Sequence, residues 1–147
     1  MNKKLKWILT GFIIFGFIGF LDAAYLAMEH YNQGILPCYI FEGCDKVLTG
    51  KYSEIFGLPV ALFGAVYYLL IVLTAVFYLD TKNKISLNIL KIFPSAGLLA
   101  SLWFVYLQLF IIEAICFYCM ISAFTSTALF ILSLFLIRLT KYDKEVR

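Results

Sequence analysis

The chain has 147 residues, of which 63% are hydrophobic and only 14% charged, and a mean hydropathy of +0.93. A soluble domain is about half apolar and about a quarter charged, so this composition excludes an ordinary soluble enzyme and fits one membrane-embedded domain spanning 1–147. The net charge of +3 does not point to nucleic acid, because the Lys and Arg residues gather at the ends of apolar runs, where they set topology.

A basic start (Lys3, Lys4, Lys6) leads into an apolar run over 7–27, long enough for a hydrocarbon core of ~30 Å. A cleavable signal peptide competes for this segment. The run is longer than a signal core of ~7–15 residues, and Ala23, Ala24 and Ala27 make no A-x-A cleavage site. Asp22 lies near the far end of the run, facing either the bundle or the interface, and the interface is the cheaper place for a charge. The long polar segment 28–57 carries Cys38 and Cys44, and Gly34, Pro37, Gly43 and Gly50 punctuate it. Turns and one short helix are expected there, with His30 as a solvated loop residue. A second span covers 58–79, with Pro59 suited to a first helical turn. A polar connection over 80–91 holds Lys82, Lys84 and Lys91, and a third span covers 92–112 with Pro94 near its start. Residues 113–115 make a tight turn, and the fourth span, 116–139, is followed by Lys141, Lys144 and Arg147. The expected fold class is an all-α integral membrane protein, a bundle of four transmembrane helices with one long outer loop carrying a short helix.

Short loops rich in Lys and Arg stay cytoplasmic. Apart from Lys46 and Lys51, the Lys and Arg residues lie at the two ends and in the 80–91 connection. Both termini are therefore expected in the cytoplasm, with the 28–57 loop and the 113–115 turn outside. All four cysteines, Cys38, Cys44, Cys116 and Cys119, then fall at one non-cytosolic face, where disulfides persist. Inert core cysteines have no reason to segregate in this way.

Cys116 and Cys119 are i and i+3 and share a helix face. If Cys116 opens the fourth helix, free N–H groups and the dipole there favour a thiolate. Two pairs at one face suggest a relay of thiol–disulfide exchange, with the loop pair able to reach an outside protein and the helix-end pair something dissolved in the bilayer. Three other readings use the same residues. Four Cys could hold zinc, but the loop pair has five intervening residues, a wide half-site. Two disulfides could be purely structural. A non-enzymatic membrane binding module with a disulfide-stapled loop is the main alternative to an enzyme.

The order of these features resembles the vitamin K epoxide reductase family, in particular its small microbial disulfide-forming members. The likeness rests on Leu21-Asp22-Ala23-Ala24-Tyr25-Leu26, on Cys38 and Cys44-Asp45-Lys46-Val47-Leu48-Thr49, on Ile55-Phe56-Gly57-Leu58-Pro59-Val60-Ala61-Leu62-Phe63-Gly64, and on Cys116-Phe117-Tyr118-Cys119. It implies a four-helix bundle around a membrane quinone, ubiquinone or menaquinone, and a thioredoxin-fold partner. Many microbial members carry a fused thioredoxin-like domain, so a chain ending at Arg147 implies a separate partner protein. By the same resemblance Cys38 faces that partner, Cys44 carries the disulfide to Cys116, and Cys119 meets the quinone. A family serine that assists the shuttle or the quinone carbonyl corresponds to Gly50 here, leaving Thr49 and Ser53 as substitutes. Ala123 stands where animal members place a tyrosine, which argues against epoxide reduction as the physiological task. The implied setting is a prokaryotic inner or plasma membrane.

Overall fold

The computed structural model describes residues 2–32, 43, 47 and 50–146. Helix α1 spans Lys3–Asn32, α2 Val60–Thr81, α3 Lys84–Tyr106 and α4 Phe117–Glu145. Four helices, the third counted with its extension to Ile111, are long and apolar enough to cross a membrane, as the composition led one to expect. The short connections after α2 and after α3 make those neighbours antiparallel. α1 packs on α2 and α4, and α3 packs on α4 and less extensively on α2. The main core is built from Leu9 and Phe12 of α1, Tyr68 and Ile71 of α2, Leu90 of α3, and Leu129 and Leu136 of α4. Four bundled helices are therefore the architecture that the sequence implied.

Several boundaries differ from the sequence-based spans, each for a local reason. α1 runs past Ala27 to Asn32, because the polar residues that end the apolar run do not end the helix. His30 is thus not a solvated loop residue. It sits in the last turn of α1, and its Nε2 pairs with Glu54 Oε1 at 3.0 Å. The polar connection expected over 80–91 contracts to Lys82 and Asn83. Lys82 closes α2 in the left-handed conformation (φ 51°), its N–H donating to the Tyr78 carbonyl. Asn83 opens α3, its side chain accepting from the Ile85 N–H at 3.0 Å. Pro94 consequently lies inside α3 rather than near a start, on a buried face. Lys84 and Lys91 belong to the first turns of α3, and Lys91 remains at the same end of the bundle as Lys144.

The short helix expected in the loop falls largely on residues outside those described. Ahead of α2 the described part forms a two-stranded ladder instead, β1 (Glu54–Ile55) against β2 (Leu58–Pro59), with Glu54 opposite Pro59 and Ile55 opposite Leu58. Its turn residues Phe56 and Gly57 both have positive φ, as a two-residue hairpin of this hand requires.

Candidate functional site

α4 begins where Cys116, in extended conformation, gives way to Phe117. The Cys116 side chain does not cap the helix. That task falls to Gln108. The last turn of α3 widens into a five-residue π-helical segment, Leu107–Ile111, which turns Gln108 inward until it is 2% exposed. Its Oε1 accepts from the Cys116 N–H at 3.1 Å, and its side chain is also within hydrogen-bonding reach of the Cys119 sulfur. Such π turns recur at functional sites. One amide therefore holds both the helix start and the thiol pair. Sequence reasoning passed over Gln108, although a lone amide inside an apolar span was a signal.

The two thiols belong to one packed cluster but differ in exposure. Cys116 is fully buried against Leu26, with Val47, Tyr25 and Tyr118 packed around the same cluster. Cys119, one turn deeper, is half-buried and opens onto a cavity of about 480 Å³. Its walls are mostly apolar, from Leu26, Phe63, Phe104 and Ala123, with polar atoms from Gln108, Ser122 and Tyr68 among them. Tyr68 is anchored in turn. Its hydroxyl donates to the Ser122 carbonyl at 2.7 Å and meets the hydroxyls of Thr125 at 2.9 Å and Ser126 at 2.8 Å. Gly19 makes room for its ring, since a β-carbon there would sit 2.5 Å from it.

The loop reaches the thiol pair through two described residues. Gly43, which precedes Cys44 in sequence, lies against the backbone of Ile115, which precedes Cys116. A β-carbon on Gly43 would fall 2.8 Å from the Ile115 carbonyl oxygen and 2.9 Å from its nitrogen. Val47 donates its N–H to the Gly43 carbonyl at 3.2 Å, one helical turn on, and packs in the Cys116 cluster. Of the residues singled out from sequence, Cys116 and Cys119 are thus brought together beside a cavity. Ser53 lines that cavity, with its hydroxyl proton committed to the Gly50 carbonyl at 2.7 Å. Cys38, Cys44 and Thr49 lie outside the described residues. Of the two positions weighed for Asp22, the fold shows the bundle-facing one, since it lies within the length of α1 with Oδ2 buried.

A dithiol at a helix start, one sulfur facing the loop and the other facing an apolar chamber, is equipped to pass an electron pair from a protein surface to a membrane-soluble acceptor. Comparison with known proteins points the same way. The profile of the Vitamin K epoxide reductase family matches residues 11–134. No curated protein matches the chain.

Proposed function

The chain belongs to the vitamin K epoxide reductase family, which makes it a membrane thiol–disulfide oxidoreductase, and we propose that it oxidises a separate thioredoxin-fold protein outside the cytosol and delivers the electrons to a membrane quinone. The observation that carries this reading is the C-x-x-C itself, with Cys116 buried beside Leu26 and Val47 and Cys119 opening onto the cavity. The cavity suits a quinone ring. Its volume falls within the range of ~300–1,000 Å³ usual for ligand sites, and its apolar walls carry a few polar atoms.

The relay proceeds by thiolate attack on successive disulfides. A partner thiolate attacks Cys38 of a Cys38–Cys44 disulfide, and the second partner thiol resolves the mixed disulfide, leaving both loop cysteines reduced. The Cys44 thiolate then attacks Cys116. The Cys116–Cys119 bond breaks, and Cys119 leaves as a thiolate. Cys38 resolves the Cys44–Cys116 bond, which restores the loop disulfide and frees Cys116. Gln108 and the start of α4 stabilise the sulfur charge, because N–H donors and the helix dipole favour an anion there. Ser122 and Gln108 would orient the acceptor beside Cys119. A bound quinone supplies a two-electron, two-proton acceptor that returns Cys116 and Cys119 to the disulfide. Thr49 and Ser53 are proposed aids to the shuttle, with Ser53 acting as an acceptor, since its proton is engaged.

The orientation belongs to the same proposal: a prokaryotic plasma membrane, both termini cytoplasmic, cysteines outside. An impermeant thiol reagent should label the reduced loop cysteines in intact cells and miss Asn83→Cys, and labelling at position 83 from outside would invert the topology. The division of labour is tested with Cys38→Ala. Oxidation of the protein partner should stop, while oxidation of a small dithiol, which can reach the helix-end pair without the shuttle, continues. Equal loss of both would make Cys38 structural and overturn its assigned role.

A further inference from the structure

α1 carries a carboxylate that the relay leaves unused. Tyr25 and Leu26 pack in the cluster around Cys116 and Cys119. Asp22 is three and four residues before them, so it lies on the same face, one turn further down. α4 runs antiparallel to α1, and Cys119 lies one turn deeper than Cys116. Asp22 and Cys119 are thereby brought to a common depth. The carboxylate is within electrostatic range of both sulfurs. Its Oδ2 is buried and has no hydrogen-bond partner among the described residues. An ionisable group inside a membrane bundle is costly, and it marks a functional path by default.

The neighbouring titratable groups are otherwise engaged. Against this stretch of α1, α4 presents Cys116 and Cys119. α2 presents Tyr68, whose hydroxyl is held by Ser122, Thr125 and Ser126. On α1 itself, Tyr25 stacks on Tyr118 and His30 pairs with Glu54. Tyr67 of α2 also has a buried, uncommitted hydroxyl, but it packs against Gly97 and Phe93 of α3, whereas on α1 the buried and uncommitted oxygen is that of Asp22.

We propose that Asp22 is a positioning residue for the thiol proton of Cys119, holding it while the disulfide is closed and returning it when the disulfide opens. The inference rests on the relay described above. When Cys44 attacks, the Cys44–Cys116 bond forms, the Cys116–Cys119 bond breaks, and Cys119 takes the electron pair as a thiolate. The Asp22 carboxylic acid passes its proton to that sulfur, leaving a carboxylate beside a thiol. When Cys119 must next react as a thiolate, the carboxylate takes the proton back. The pair is neutral while the disulfide is closed and carries a single negative charge once it opens, never two, as the low dielectric requires.

Two readouts, moving in opposite directions, test this. In a chain retaining only Cys119, with the other three cysteines replaced by serine, reaction with iodoacetamide at pH 7 reports the thiolate. It needs no quinone. Asp22→Asn should raise that rate roughly tenfold, because a like charge close by disfavours the thiolate. In the four-cysteine chain the same substitution should slow quinone-dependent turnover at least ~10-fold, the scale of lost proton transfer. Asp22→Glu should restore both values in part, which also controls for misfolding. An unchanged or slower alkylation rate in Asp22→Asn would overturn the proposal, as would turnover equal to that of the unsubstituted chain. If the unsubstituted chain fails to oxidise a dithiol with quinone, the relay itself is refuted, whereas the alkylation arm still decides whether Asp22 governs the thiol.

Discussion

Gly43→Ala is the substitution that most sharply separates the two halves of the relay. The added methyl would lie 2.8 Å from the Ile115 oxygen, 2.9 Å from the Ile115 nitrogen and 3.1 Å from the Ala114 β-carbon. Two of these three are backbone atoms in the segment entering Cys116, so no side-chain rotation relieves the clash. Overpacking of this kind costs about 1–3 kcal/mol. At ~1.4 kcal/mol per tenfold, the state with Gly43 docked on Ile115 falls in population by about 5- to 150-fold. The strain lies between Gly43 and the Ala114–Ile115 segment entering Cys116, and neither Ala114 nor Ile115 lines the cavity onto which Cys119 opens. The assay compares quinone-dependent oxidation of a reduced thioredoxin-fold protein with that of a small dithiol by the same preparation. The protein route should slow by roughly the population factor, ~5- to 150-fold, while the small-dithiol route keeps its rate. Equal slowing of both, or no slowing of either, would refute the idea that this close approach couples the loop to the C-x-x-C.

Other substitutions probe the remaining links. Cys116→Ser leaves Cys119 unable to close its disulfide, so the quinone-loaded variant should show a visible charge-transfer absorption that vanishes when Cys119 is replaced too; colour surviving that second replacement would exchange the two roles. Ala123→Phe, one turn below Cys119 on the cavity wall, should raise the KM for quinone while single-turnover exchange between the thiol pairs keeps its rate, measured by rapid quenching. Tyr68→Phe leaves the polar groups of Ser122, Thr125 and Ser126 without their shared partner. It should destabilise the bundle by about 1–3 kcal/mol, read as a lowered Tm in detergent.

How much of this was legible in the sequence depends on the interaction concerned. The four helices follow from apolar runs, and the order of the two cysteine pairs carried the family resemblance. Helix ends were misread because hydropathy reports a membrane span, not hydrogen bonding. α3 begins at Lys84 through the Asn83 cap despite its polar first turns, and it tolerates Pro94 because that face is packed. His30 looked like loop because it follows the apolar run, yet its partner Glu54 lies far along the chain. Gln108 and Asp22 acquire their meaning from packing between α1, α3 and α4, which no local pattern encodes. Gly43 read only as a turn residue, and its requirement for a bare α-carbon comes from the backbone of Ile115.

The central claim is that electrons leave protein thiols through Cys119 for a quinone. The most direct measurement places the purified chain in lipid nanodiscs with quinone and a reduced thioredoxin-fold protein, following thiols and quinol together. The account predicts two thiols lost for each quinol formed, and no quinol when Cys119 is replaced by serine. Thiol loss that proceeds without quinone, or full turnover by Cys119→Ser, would contradict it and favour a loop that binds rather than oxidises.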